Sequence, residues 1–173
     1  MRAAYLSKLQ EWNEGYSIDE AWTGAGNPLE MEILSFSERF PSPALDCVLY
    51  RGTGVLDGVP TSLTGGTYQV LEPSKRLIHS WSKDIEVARL FMNNAIETNH
   101  SAILIGIHSS RLQIVADLDT MLKHDHYGES EVIVRNLPVL LHPEDIIDAW
   151  EYDKTLEACR QLEQFNVNPS YHL

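Results

Sequence analysis

Hydrophobic and polar positions divide the chain into a helical first quarter and a strand-rich remainder. Over 3–22, Leu6, Leu9, Asn13 and Tyr16 fall three or four apart, the spacing of one helix face. Ser17-Ile18-Asp19-Glu20 supplies capping residues for a second short helix, and Gly24 to Pro28 breaks the pattern. A further helix is predicted over 28–40, stopped by Pro41 and Pro43. From Cys47 the texture becomes that of strands. The run 47–51 is apolar and ends at Gly52-Thr53-Gly54, which predicts a strand entering a turn. Strands are predicted at 67–71 and 76–81, then a helix in which Ile85, Ala88 and Phe91 share a face and Ser82 serves as cap. The clearest strand is 101–108, followed by 113–116, a polar irregular stretch over 117–127, and strands at 131–134, 139–141 and 146–152. Residues 154–164 read as helical.

Helices first and then a mainly antiparallel sheet with few crossovers define an α+β protein. A single domain over 1–173 is expected: a helical part to 45, a sheet core over 46–153, and a C-terminal helix and tail over 154–173. No internal repeat is visible.

Composition narrows the functional classes. Twenty-five acidic against 13 basic residues give a net charge of −12. That balance opposes nonspecific nucleic-acid binding and anionic membranes, and it favours a basic protein partner through long-range attraction, besides keeping the chain soluble. No apolar run reaches the roughly 20 residues that span a bilayer. The opening MRAAYLSKLQEW lacks the apolar centre of a signal peptide, so a cytoplasmic location is expected, in the producing cell or in a host. Cys47 and Cys159 have no metal-ligand spacing and read as buried free thiols, although a disulfide between them is not forbidden. His124-Asp125-His126 lacks a third ligand at a convincing spacing, and no metal is expected. Neither GxSxG nor a phosphate-binding GxxxxGK[ST] occurs. The tryptophans at 12, 22, 81 and 150 read most simply as core or edge-of-core residues.

Three segments, in order, carry a resemblance. The first is Leu49-Tyr50-Arg51-Gly52. The second is Ile78-His79-Ser80-Trp81-Ser82-Lys83-Asp84, followed by Val87-Ala88 and Phe91. The third is Tyr127-Gly128-Glu129-Ser130-Glu131-Val132-Ile133. Together they resemble the aromatic-Arg, Ser-Thr-Ser and Glu-x-Glu elements of the arginine–serine–glutamate class of mono-ADP-ribosyltransferases, the group with cholera-type toxins and vertebrate ectoenzymes. Trp81 departs from the usual middle threonine, a position that is mainly structural in that family. The resemblance spans roughly half of the chain.

It implies an ADP-ribosyltransferase-like fold, with two small, mainly antiparallel and mutually perpendicular sheets forming an NAD cleft behind N-terminal helices. It implies NAD as substrate, with no metal. It further implies a protein acceptor, expected to be basic and of the host transcription or translation machinery, and a phage-encoded modifier or an injected toxin or effector as biological setting. Arg51, Ser80 and Glu131 would be catalytic, with Glu129 beside them. Tyr50, Arg51, Gly52, Ser80, Ser82 and Phe91 would hold the cofactor, and Tyr127 and Glu129 would meet the acceptor.

The chemistry suits these residue types. Cleaving the ribose–nicotinamide bond passes through an oxocarbenium ion, as in glycoside hydrolysis, so a carboxylate must stand near the developing charge. Glu131 fits that task; alone it would read as a solvated strand-start glutamate. Arg51 offers a planar fork for phosphate or ribose oxygens, though a lone arginine often caps a strand end. Gly52 admits close backbone approach or marks a turn. Ser82 serves either the ribose or only the cap of the following helix. Glu129, two residues before Glu131 on an extended chain, would share its face and act as base toward an arginine acceptor. Hydrolysis of NAD by water is the alternative reaction, and a silent binding or inhibitor domain of the same fold is the alternative of another class.

Overall fold

The computed structural model describes residues 1–14, 27–42, 44–55, 68–69, 76–98, 101–122, 130–137 and 139–150. Helix α1, Arg2–Asn13, buries Tyr5, Leu9 and Asn13, which stand four apart along one stripe. It lacks a side-chain cap and terminal charges matched to its dipole. Packing therefore sustains it more than intrinsic propensity does. Tyr5 stacks against Phe36, with ring centroids 5.7 Å apart, and donates its hydroxyl to the carbonyl of Val115 at 3.1 Å. Burial pushes that phenol up to about 12.

Helix α2, Pro28–Ser37, starts where Asn27 accepts the Leu29 N–H at 2.8 Å and Pro28 occupies the first turn. It ends three residues short of the expected Phe40. Its buried Glu30 reaches away from the helix to accept the Leu77 N–H at 2.7 Å, so α2 holds the approach to the sheet.

The strands are β1 (Val48–Val55), β2 (Tyr68–Gln69), β3 (Ile78–Ser82), β4 (Ser101–His108), β5 (Ile114–Asp117), β6 (Glu131–Arg135), β7 (Leu140–Leu141) and β8 (Ile146–Trp150). Helix α3, Ile85–Glu97, follows β3, and the single turn α4, Leu118–Met121, follows β5. Six strands form one antiparallel sheet in the order β5-β6-β3-β1-β4-β8, and β2 pairs with β7. The α+β class stands. Where the resemblance implies two small sheets, the described residues form one six-stranded sheet and a two-stranded ribbon.

The larger sheet nevertheless has a seam. Strands β1 and β4 share eight register pairs, and β3 and β6 share five, whereas β1 meets β3 at the single pair Tyr50↔Ser82. Three strands thus lie on each side of a junction one residue pair long.

Alternation along the strands distributes three apolar clusters. Ile78 and Ile133 face α1 and α2 with Tyr5, Leu9, Leu29 and Ile33. Leu49, Trp81, Ile103, Ile105, Val132 and Val134 pack together, and Ala102 and Leu104 face Ala88 and Met92 of α3.

Three local expectations are corrected. The strand does not stop at Gly52-Thr53-Gly54, since β1 runs through them and pairs Gly52 with Leu104 and Gly54 with Ala102. Helix α3 is capped by Asp84, which accepts the Glu86 N–H at 2.9 Å; Ser82 belongs to β3 and accepts the Asp84 N–H one step earlier. The stretch 117–127 is not wholly irregular, because α4 buries Leu118. The predicted elements at 17–20 and 154–164, and Trp22 and Cys159, lie outside the described residues; Cys47 is a free thiol, but only partly buried.

A bidentate pair fixes the far end of the sheet: Arg111 Nη1 and Nη2 donate to Asp145 at 2.6 and 2.9 Å. Burial disfavours the Asp145 charge, but the Arg111 fork and the His142 N–H outweigh it and hold the carboxyl below its usual range. A carboxyl depressed in the folded state stabilises fully at neutral pH and loses that contribution as pH falls, below about 4. Asp145→Asn is expected to lower the melting midpoint at pH 7 by a few degrees, from about 1–2 kcal/mol for this partly exposed guanidinium on a buried carboxylate. The gap to wild type should shrink below pH 4, and a gap constant down to pH 2 would refute the assignment.

Candidate functional site

The seam places the candidate residues side by side. Because Tyr50 pairs with Ser82, and Ser82 with Glu131, one row across β1, β3 and β6 carries an aromatic ring, a hydroxyl and a carboxylate. Ser80 and Ser82 are two apart on β3 and lie on the same face. Where β1 and β3 diverge beyond their one pair, Arg51 bridges them: its Nη1 donates to the Ser80 carbonyl at 2.8 Å.

Glu131 opens β6 and is buried at 6% exposure, so it is not the solvated strand-start glutamate that its position alone allows. A buried carboxylate needs partners, and this one has them. Its Oε1 accepts the Ser80 hydroxyl at 2.5 Å and the Trp12 indole N–H at 2.7 Å. Ser80 thus touches the site at both ends, through its carbonyl to Arg51 and its hydroxyl to Glu131.

The backbone beneath Glu131 is held as firmly. Ser130 has φ of 50°, a left-handed conformation uncommon outside glycine, and its carbonyl accepts the Lys83 N–H at 3.1 Å. The Lys83 ammonium binds buried Asp117 at 2.9 Å and Asp119 at 2.6 Å. Burial works against its charge, yet the two carboxylates prevail and raise its pKa.

Arg51, Ser80, Ser82 and Glu131 border a cleft of about 330 Å³, lined also by Tyr50, Gly52, Thr53, Gly54, Arg76, Trp81, Val87, Ala88 and Phe91. That volume falls in the range of small-molecule sites. Its lining is mixed: two guanidiniums, two serine hydroxyls and one carboxylate lie among apolar and aromatic groups. Such a lining suits an anionic ligand that also carries rings. Phe91 is 47% exposed and presents an open aromatic surface. Trp81 packs with Leu49, Ile103 and Val132, in keeping with a packing role at that position.

Every residue expected to be catalytic or to hold the cofactor borders this cleft, apart from Glu129. Glu129 and Tyr127 lie outside the described residues, as do His124, Asp125 and His126. Among the described residues no three His, Cys, Asp or Glu side chains gather as metal ligands, and no helix is long and apolar enough to cross a membrane.

Arg76, which lines the cleft, and Trp12, which binds Glu131 from outside it, escaped sequence reasoning. Arg76 sat in a segment legible only as the start of a strand. Trp12 looked like an ordinary core tryptophan on α1, and nothing local links it to a carboxylate 119 positions away. Gly52 was legible only in part: its close backbone approach is to α3, with an added Cβ falling 1.9 Å from the Ala88 carbonyl oxygen. Comparison of the chain with family models, with curated proteins and with solved structures gives no match.

Proposed function

We propose that this protein is an NAD⁺-dependent mono-ADP-ribosyltransferase that transfers ADP-ribose to an arginine of a protein and releases nicotinamide. The observation that carries this reading is the buried Glu131 carboxylate, fixed by the Ser80 hydroxyl in a cleft that also holds Arg51. The seam at Tyr50↔Ser82, which gives the sheet two three-stranded halves, supports the finer fold assignment.

In this reading Arg51, with Arg76 of the same cleft, takes the pyrophosphate, and Tyr50 and Phe91 offer ring surfaces to the aromatic ends of NAD⁺. Ser80, and with it Ser82, orients the nicotinamide ribose and Glu131. The C1′–N bond breaks and its electron pair leaves with neutral nicotinamide. Glu131 stabilises the ribosyl cation electrostatically. A guanidinium nitrogen of the acceptor then bonds C1′ and gives its proton to Glu129. No step asks for a metal. The acidic chain suits a basic acceptor such as host transcription or translation machinery, and a cytoplasmic site of action.

Incubation of lysate with labelled NAD⁺ tests the transfer. Labelled arginine in a protein is expected with wild type and is absent with Glu131→Ala. Free ADP-ribose without labelled protein would favour water as acceptor, and failure to bind or cleave NAD⁺ would favour a silent binding domain. Glu129→Gln should lose arginine modification while NAD⁺ hydrolysis persists; unchanged transfer would remove Glu129 from the mechanism.

A further inference from the structure

We propose that Trp12 is a positioning residue for Glu131, which makes helix α1 a working part of the site. The inference rests on the transferase reading above and adds a role that the three resemblance segments do not contain.

The geometry is specific. The indole N–H donates to Glu131 Oε1 at 2.7 Å, on the oxygen that also accepts Ser80 at 2.5 Å. Two donors from unrelated parts of the chain therefore fix one carboxylate oxygen. Indole N–H can only donate, so this contact favours the charged carboxylate. The ring is held in turn. Trp12 packs at the edge of the cluster containing Tyr5, Leu9 and Ile133, and Ile133 is the next β6 residue on the Glu131 face. Tyr5, one stripe along α1, is tied to β5 through the Val115 carbonyl. Helix α1 therefore cannot slide relative to β6 without moving the donor. The arrangement fixes the direction in which the carboxylate points while leaving the cleft to the substrate, because Trp12 does not line it.

Trp12→Phe keeps the ring and deletes the donor. Loss of a hydrogen bond to a charged group is expected to lower kcat for nicotinamide release about tenfold or more, with KM for NAD⁺ unchanged and the far-UV spectrum retained. A second measurement does not depend on turnover. Of the four indole N–H resonances, that of Trp12, assigned in the wild-type protein, should move upfield in Glu131→Gln, where the acceptor is neutral. It serves also if Trp12→Phe folds poorly, since Glu131→Gln then reports on an intact ring. Wild-type kcat in Trp12→Phe, or no movement of that resonance in Glu131→Gln, would overturn the positioning role and leave the reaction standing. Absence of nicotinamide release by the wild type itself would overturn both.

Discussion

Glu131→Gln is expected to fold as the wild type does and to cleave NAD⁺ about a thousandfold more slowly, the upper range for losing one preorganised electrostatic partner. The substitution is nearly isosteric. The amide oxygen still accepts from the Ser80 hydroxyl and the Trp12 indole, so neither buried donor is left unsatisfied. Removing a buried charge costs the folded state little, because burial already penalises it. On the proposed transferase reading, what disappears is the negative charge beside the forming ribosyl cation. The expected signature is therefore a melting midpoint within a few degrees of wild type, unchanged NAD⁺ binding, and a collapse of kcat. Nicotinamide release followed by chromatography measures the last, and calorimetric titration the second. Wild-type turnover in this variant would remove Glu131 from the chemistry. A large loss of NAD⁺ affinity with kcat preserved would make it a binding residue instead.

How much of this was legible along the chain varies with how local the cause is. Strand β4 was visible because its side chains are buried along nearly its whole length, and a continuous apolar run records that directly. The Arg51, Ser80 and Glu131 neighbourhood was inferred from three short motifs, and the register Tyr50↔Ser82↔Glu131 is what brings the three segments side by side. The alpha-helical cap was misassigned for an instructive reason. Ser82 and Asp84 both offer a capping oxygen, and local pattern cannot choose between them. Ladder pairing does choose: Ser82 stays in β3 opposite Glu131, and the helix starts two residues later. Trp12 was invisible for the opposite reason. Its hydrogen bond depends on how a helix docks across the sheet, a fact with no trace in the neighbouring residues.

The glycine run shows the same principle with the largest effect on stability. Gly52-Thr53-Gly54 has the composition of a turn, yet these residues continue β1 and pair with β4. The requirement for glycine at 52 comes from α3, which crosses this strand. A Cβ there would lie 1.9 Å from the Ala88 carbonyl oxygen and 2.6 Å from the Met92 nitrogen. Both are backbone atoms of a helix, so no rotamer change relieves the overlap. Helix α3 must instead be driven off the sheet, opening the cluster of Ala88, Met92, Ala102 and Leu104. Gly52→Ala is therefore expected to destabilise the fold by about 3 kcal/mol or more, which for a chain of this length lowers the melting midpoint by roughly 6–12 °C. Because Val87, Ala88 and Phe91 of that helix line the cleft beside Arg51, weaker NAD⁺ binding should accompany the loss. The pairing of effects separates this variant from Glu131→Gln, in which turnover falls while the fold persists. Thermal unfolding of Gly52→Ala beside wild type is decisive. A midpoint within a degree of wild type would mean that α3 does not press on β1 as closely as these distances require. The glycine would then be free to serve only the approach of a ligand.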